Sequence, residues 1–273
     1  MSKSDLITRT ITGILYGLVL IASLVINYYT FYIFFLTVLV LGLKEFYQLA
    51  EKKDVKPQKI LGFIMAIGMY ISSYLVHVNE KMCYLTLNLV LAITFLLFAV
   101  ELFRNKEISF VNIGITFLGI IYIALPLSLL TFLAFDTNNQ YSYHLILSLF
   151  ILVWLSDVGG YFAGINFGKH KLLERISPKK TWEGVAGGLA LSIIGSYILG
   201  QLFPIMNIYM WLLLGVLVCV SSVIGDLIES MLKRSAKIKD SGNLLPGHGG
   251  ILDRFDSVLF VIPIVYIFKF FIL

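Results

Sequence analysis

Apolar stretches long enough to cross a membrane recur along almost the whole chain. They cover approximately residues 10–26, 29–46, 60–78, 83–102, 112–134, 143–163, 184–203, 208–229 and 252–271. About 20 apolar residues in a helix span the roughly 30 Å hydrocarbon core of a bilayer. The pattern therefore predicts an all-α polytopic membrane protein with about nine transmembrane helices.

Lysine and arginine lie in alternate connections between these predicted spans. Of the 21 basic residues, 19 fall on one side of the predicted membrane, and Lys81 and Lys269 are the exceptions. By the positive-inside rule, the amino terminus and both long polar loops face the cytoplasm. This placement accounts for the net charge of +5 without a nucleic-acid partner. We expect a bacterial-type plasma membrane, because the compact chain carries no organelle signal.

The two halves of the chain differ in the chemistry that they carry. Residues 1–150 offer mostly apolar side chains and are predicted to form a transmembrane scaffold of about five helices. Lys44 and Glu45 lie at the predicted cytoplasmic end of the second span, where a snorkelling lysine is the ordinary explanation. Residues 151–273 are predicted to form a catalytic transmembrane region with two cytoplasmic polar loops. Cys83 and Cys219 lie far apart in or beside apolar stretches, which indicates neither a disulfide nor a cysteine metal site.

The first polar region begins with Asp157, deep in the sixth predicted span. A carboxylate in a membrane is costly enough that a functional role is the default hypothesis. The loop that follows combines basic residues, hydroxyls and the start of a helix, an arrangement that suits a polyphosphate. Its candidate ligand-binding residues are Lys169, Ser177, Lys179, Lys180, Thr181 and Glu183. The alternatives are attraction of the loop to anionic lipid and, for Gly159, Gly160 and Gly164, close helix packing.

The second polar region begins at the end of the eighth predicted span. Polar residues there share one helical stripe: Ser222, Asp226, Glu229 or Ser230, and Lys233. Mg²⁺ is commonly held by one or two carboxylates together with substrate phosphates, so Asp226 and a second acid would suffice. Asp253 or Asp256, at the start of the ninth span, supplies that acid. The alternative for these two is a helix-start dipole interaction with pairing to Arg254.

Residues 230–256 resemble the signature of the phosphatidate cytidylyltransferase family, also called CDP-diacylglycerol synthases. The matching positions are Ser230, Lys233, Arg234, Lys239, Asp240, Gly242, Leu245, Pro246, His248, Gly249, Gly250, Asp253, Arg254, Phe255 and Asp256. Trp154, Asp157, Tyr161 and two segments, 167–169 and 177–184, are similar to a second block of the same family, whereas Glu174 between them departs from it. The resemblance is sharp over residues 154–256 and only compatible before them.

The resemblance implies that CTP and phosphatidate react to give CDP-diacylglycerol and pyrophosphate. It also implies a homodimer and Mg²⁺ held by Asp226 and Asp253, beside which a monovalent cation can bind. Asp157, Asp240 and Asp256 are then alternative ligands or groups that orient the ligands. We assign phosphate binding to two basic sets: Lys233, Arg234, Lys239 and Arg254 in one loop, and Lys169, Lys179 and Lys180, with Ser177 and Thr181, in the other. His248, with Gly249 and Gly250, either contacts the nucleotide or shapes the loop.

A second function class is a secondary ion-coupled transporter. In that class, Asp157, Asp226 and Asp253 would form an ion pathway near the bilayer midplane. Such a pathway predicts acids spread toward both membrane faces and an inverted repeat, whereas these acids cluster near one predicted side beside glycine-rich loops.

Overall fold

The computed structural model describes residues 3–104, 106–136, 138–238, 241–242 and 249–272, with side chains from residue 11 onward. The helices within these ranges are α1 (Lys3–Val25), α2 (Tyr28–Glu51), α3 (Lys59–Val78), α4 (Glu80–Arg104), α5 (Ser109–Gly119), α6 (Leu125–Leu133), α7 (His144–Phe167), α8 (Trp182–Leu202), α9 (Ile208–Ser235) and α10 (Leu252–Ile272). Two short strands, β1 (Lys171–Leu173) and β2 (Ser177–Thr181), lie between α7 and α8.

Within the part of the chain that the structure describes, eight helical segments are long and apolar enough to cross a membrane, one of them being the continuous stretch from α5 through α6. They coincide with eight of the nine predicted spans. The remaining predicted span, residues 10–26, lies in α1, whose described apolar stretch Ile11–Val25 is shorter than the others. The prediction of an all-α polytopic membrane protein is confirmed.

A π-helical segment, Ile120–Ala124, joins α5 to α6 immediately before Pro126. Proline has no N–H and its ring clashes with the carbonyl four residues back, so it disturbs a regular helix. Here the backbone widens by one residue, and the N–H of Leu125 bonds to the carbonyl of Ile120. The helix is therefore irregular beside Pro126, in the form of a π turn.

The chain divides into two compact units. The first unit comprises Met1–Phe132 and Ala236–Arg254, and the second comprises Leu133–Ser235 and Phe255–Leu273. Each has its own fully buried aromatic side chains, such as Tyr47 and Tyr70 in the first unit and Trp211 and Phe150 in the second. The functional division near residue 150 stays a prediction.

A buried polar network connects α4, α5 and the start of α3 within the first unit. The carboxylate of Glu101, 4% exposed, accepts hydrogen bonds from the Gln58 Nε2 (2.6 Å), Asn112 Nδ2 (3.1 Å) and Arg104 guanidinium (2.8 Å). The Asn112 side chain also accepts the backbone N–H of Lys56 at 2.8 Å. With these partners, the buried carboxylate has the hydrogen bonds and the positive charge that burial requires.

Glycines bring α7 and α8 into close contact in the second unit. A Cβ added at Gly159 would lie 2.5 Å from the carbonyl oxygen of Gly187, and one at Gly188 would lie 2.8 Å from that of Ser156. A Cβ on Gly184 would lie 2.9 Å from the carbonyl oxygen of Gly160. Small residues of this kind let helix backbones approach in membranes. Close packing thus accounts for Gly159, and the same interface includes Gly160.

The polar loop after α7 forms a hairpin, which the sequence analysis did not anticipate. Strands β1 and β2 pair antiparallel, with Lys171 opposite Thr181 and Leu173 opposite Ser177. The N–H of Trp182 continues the pairing by bonding to the carbonyl of His170 at 3.0 Å. The pairing satisfies backbone hydrogen-bonding groups of this strongly basic segment. The second strand leads directly into α8.

Candidate active site

Three carboxylates of the second unit form a cluster. Ligand oxygens of Asp226, Glu229 and Asp256 all lie within 4.8 Å of one another. Asp226 and Glu229 are three residues apart on α9 and therefore share one face of that helix. Asp256 lies one turn into α10. Asp226 and Asp256 are members of the site that the sequence predicts, in which Glu229 and Ser230 are alternatives on the helical stripe.

Gly225 allows this cluster to form. A Cβ at this position would lie 2.8 Å from the Phe260 Cβ, 2.9 Å from the Asp256 carbonyl oxygen and 3.0 Å from the Ser257 Cα. Two of these three atoms belong to the backbone of α10, which therefore packs directly on α9. Because Asp226 is the next residue, this close approach brings its carboxylate toward Asp256.

Two lysines neutralise part of the cluster. The ammonium group of Lys180, at the end of β2, lies 2.5 Å from an Asp226 carboxylate oxygen. Lys233 forms an ion pair with Glu229, whose side chain is only 3% exposed. The other carboxylate oxygen of Asp226 accepts a hydrogen bond from the hydroxyl of Ser230 at 3.3 Å. Each of these carboxylates therefore has a cation beside it.

Asp157 belongs to the same electrostatic site. Its carboxylate, on α7, interacts with those of Asp226 and Asp256 and with the ammonium of Lys180. Among the described residues, the site thus holds four carboxylates against two lysines. A group of carboxylate oxygens with excess negative charge fits a hard divalent cation, which oxygen ligands bind preferentially.

The hairpin residues predicted to bind phosphate take several positions. Thr181 is 5% exposed and its hydroxyl caps α8 by accepting the N–H of Gly184 at 3.1 Å. The Glu183 carboxylate accepts the backbone N–H of Lys169 at 3.1 Å and lies 2.6 Å from the His170 Nδ1. Ser177 is half-buried at the start of β2, and Lys179 is exposed. Of this set, the structure brings Lys180 to the carboxylates.

Asp253 lies in the first unit, and its carboxylate forms hydrogen bonds with the segment before α10. Its carboxylate accepts hydrogen bonds from the Ser241 N–H (3.0 Å), the Ser241 hydroxyl (3.0 Å) and the Gly250 N–H (2.7 Å). Gly249 has a φ of +83°, and a Cβ there would lie 2.5 Å from an Asp253 carboxylate oxygen. The tight turn therefore requires glycine at this position. Arg254 is exposed, as is Arg234 in the second unit.

Glu45 is a residue of this region that the sequence analysis assigned to the scaffold. It is 6% exposed on α2, and its carboxylate accepts the N–H groups of Ile251 (3.0 Å) and Leu252 (2.9 Å). The hydroxyl of Ser241 lies 3.2 Å from the same carboxylate. Its one sequence signal was an acid at the end of an apolar stretch, which is ordinary at a membrane interface.

Three predicted site residues, Lys239, Asp240 and His248, lie outside the described residues. The assignment of Asp226 and Asp253 as the metal ligands stays a prediction. Within the second unit, the acids that lie beside Asp226 are Glu229 and Asp256.

Known proteins resemble this chain along nearly its full length. The model of the cytidylyltransferase family matches residues 7–272. A protein from Staphylococcus aureus (strain COL) named phosphatidate cytidylyltransferase is 35% identical over 262 residues, which cover 95% of this chain and 97% of that protein. A protein of the same name from Staphylococcus saprophyticus is 36% identical over 261 residues, with the same coverage of both chains.

Proposed function

The chain belongs to the cytidylyltransferase family, as the resemblance of its second half predicted, and on that premise we propose that it is a phosphatidate cytidylyltransferase. It is an integral membrane protein, since eight of its helical segments suit a bilayer. It would take CTP from water and phosphatidate from the membrane and release CDP-diacylglycerol and pyrophosphate.

The reaction exchanges one phosphorus–oxygen bond for another. A phosphate oxygen of phosphatidate attacks the α-phosphorus of CTP, and the bond from that phosphorus to the β-phosphate bridging oxygen breaks. The electron pair leaves with pyrophosphate, so no protein nucleophile is needed. The difficulty is to bring two polyanions together, and catalysis therefore depends on positioning and on charge stabilisation.

Among the described residues, Lys180 and Lys233 are the cations best placed to bind and neutralise substrate phosphates. Both are largely buried, with side chains 26% and 13% exposed, and each sits on a carboxylate of the cluster. The carboxylate fixes the position of the ammonium group before substrate binds. Little further free energy is then needed to orient the ammonium group toward a substrate phosphate. Lys169, Lys179, Arg234 and Arg254 would add phosphate contacts from more exposed positions.

We propose that Asp226, with Asp256 and Glu229, holds Mg²⁺. The metal would neutralise phosphate charge on CTP and stabilise the departing pyrophosphate. Asp157 would orient Lys180 and Asp226 from α7. Asp253 is the further ligand that the family resemblance implies.

The membrane topology and assembly are also proposals. The distribution of basic residues supports a cytoplasmic amino terminus and a cytoplasmic active site, and the bacterial relatives support a bacterial plasma membrane. A homodimer follows from the family resemblance. The family match over residues 7–272 and the relatives' shared name support the enzyme over the transporter alternative.

The acid cluster is the observation that carries this proposal, and replacing its members tests it. Purified protein in detergent should form CDP-diacylglycerol from labelled CTP and phosphatidate in a Mg²⁺-dependent manner. Asp226→Asn and Asp256→Asn should reduce the rate by roughly 10²-fold or more, while Asp136→Asn, outside the cluster, should retain it. Absence of product from folded wild-type protein would rule out the proposed function.

A further inference from the structure

Two acidic side chains of the first unit meet at one serine. The hydroxyl of Ser241 lies 3.2 Å from a Glu45 carboxylate oxygen and 3.0 Å from an Asp253 carboxylate oxygen. Asp253 comes from the first turn of α10, whereas Glu45 comes from α2, about 200 residues earlier. Glu45 is therefore a long-range partner of the described part of this segment.

Backbone N–H groups surround both carboxylates. Glu45 accepts those of Ile251 and Leu252, and Asp253 accepts those of Ser241 and Gly250. The exposed N–H groups at a helix start favour negative charge, and two neighbouring acids can share this positive end of α10. The arrangement gives each acid its own donors, with Ser241 between them.

The glycines of the segment fit closely around Glu45. A Cβ on Gly242 would lie 2.7 Å from one Glu45 carboxylate oxygen, and one on Gly250 would clash with the other and with the Ser241 hydroxyl. A side chain at either position would therefore displace the Glu45 carboxylate. The Glu45 side chain therefore packs closely against the two glycines of the segment.

We propose that Glu45 is a positioning residue that fixes the Asp253 carboxylate through Ser241 and the first amides of α10. The role rests on the proposed function, since it matters for catalysis only if Asp253 serves the metal or the phosphates. Groups that orient metal ligands by hydrogen bonding commonly change metal affinity or activity by about 10- to 100-fold when replaced.

Glu45→Gln is the primary test, because it keeps the side-chain size but turns one acceptor into an NH₂ donor. That donor would face the N–H of Ile251 or Leu252, so at least one of these bonds is lost. Glu45→Asp keeps the negative charge on a side chain that is shorter by one methylene. Its hydrogen exchange and Mg²⁺ requirement should therefore lie between those of Glu45→Gln and wild type. Glu101→Gln is the matched control, since Glu101 is an equally buried acid of the same unit that is held by side chains.

Three readouts separate positioning from general stability. In substrate-free protein, hydrogen exchange at Ile251 and Leu252 should be faster in Glu45→Gln than in wild type. The rise in melting temperature that Mg²⁺ produces without substrates should require more metal in this variant. In the assay, the Mg²⁺ concentration for half-maximal activity should rise by about tenfold, with little change in the KM for phosphatidate. Glu101→Gln should lower the melting temperature and leave the Mg²⁺ requirement unchanged.

The proposal is overturned if Glu45→Gln shows wild-type hydrogen exchange at Ile251 and Leu252 and a wild-type Mg²⁺ requirement. It is also overturned if Glu101→Gln raises the Mg²⁺ requirement as much as Glu45→Gln does. Should Glu45→Gln fail to fold, Ser241→Ala removes the shared hydroxyl and keeps both carboxylates. It must then shift the Mg²⁺ requirement in the same direction, or the proposal fails. Inactive wild-type protein would refute the proposed function separately, while the exchange measurement still tests the contacts of Glu45.

Discussion

Replacing Gly225 by alanine tests whether the close approach of α9 and α10 builds the acid cluster. The new Cβ would lie 2.8 Å from the Phe260 Cβ, about 0.6 Å short of the 3.4 Å at which ordinary contact begins. It would also crowd the Asp256 carbonyl oxygen at 2.9 Å, and a backbone atom cannot rotate away. Relief therefore requires α10 to move as a body, and Asp256 would move with it.

The size of the effect follows from this displacement. Overpacking of this kind costs about 1–3 kcal/mol, which corresponds to a fall in melting temperature of roughly 2–10 °C for a chain of this size. A misplacement of about 1 Å can reduce a catalytic rate by about 10²-fold. For the smaller shift expected at Asp256, we predict a rate on the order of tenfold lower.

The assay compares the melting temperature and the rate of CDP-diacylglycerol formation for Gly225→Ala and Gly114→Ala. Among the described residues, no atom outside the local backbone of α5 lies within 4 Å of a Cβ added at Gly114, so alanine there should leave both quantities unchanged or raise stability slightly. If Gly225→Ala is as active and as stable as wild type, the two helices do not need this contact. An equal loss in both variants would show that helix glycines matter for reasons other than local space.

Three further predictions concern other parts of the two units. Lys180→Met removes the cation beside Asp226 and should lower kcat by roughly 10²-fold, with Lys180→Arg retaining part of the rate in the same assay. Gly249→Ala forces a side chain into a left-handed backbone beside the Asp253 carboxylate; a loss of at least about 1–2 kcal/mol should appear as a lower melting temperature, and an unchanged value would contradict the need for glycine. Glu183→Gln weakens the contacts at the base of the hairpin, so limited trypsin digestion should cut faster at Lys171 and Arg175, with cleavage at Lys52 and Lys53 as the internal reference.

The helices were predictable because a bilayer imposes a local rule. Each span must be apolar over about 20 residues, and this requirement can be recognised within one stretch of sequence. Asp157 and Asp226 were recognisable for the same reason, since an acid in such a stretch is conspicuous. The hairpin could not be predicted in this way. Its pairing of Lys171 with Thr181 depends on backbone hydrogen bonds, which the basic side chains of the segment do not indicate.

Glu45 and Glu229 show two different limits of the sequence. Spacing placed Glu229 on the stripe with Asp226, but it did not distinguish Glu229 from Ser230 as the residue that joins the acids. For Glu45, the partners Ile251 and Leu252 lie more than 200 positions away. A local pattern carries no information about such a contact.

The contact of Glu45 with the start of α10 also bears on how the protein is synthesised. Glu45 emerges from the ribosome 206 residues before Ile251, its backbone partner. At about 5–20 residues per second, that interval is roughly 10–40 s. During this time the first unit lacks its returning segment, Ala236–Arg254, and the carboxylate of Glu45 has to stay hydrated or find temporary partners. The amino-terminal helices can enter the membrane early, but their unit is completed only after residues 236–254 have been made.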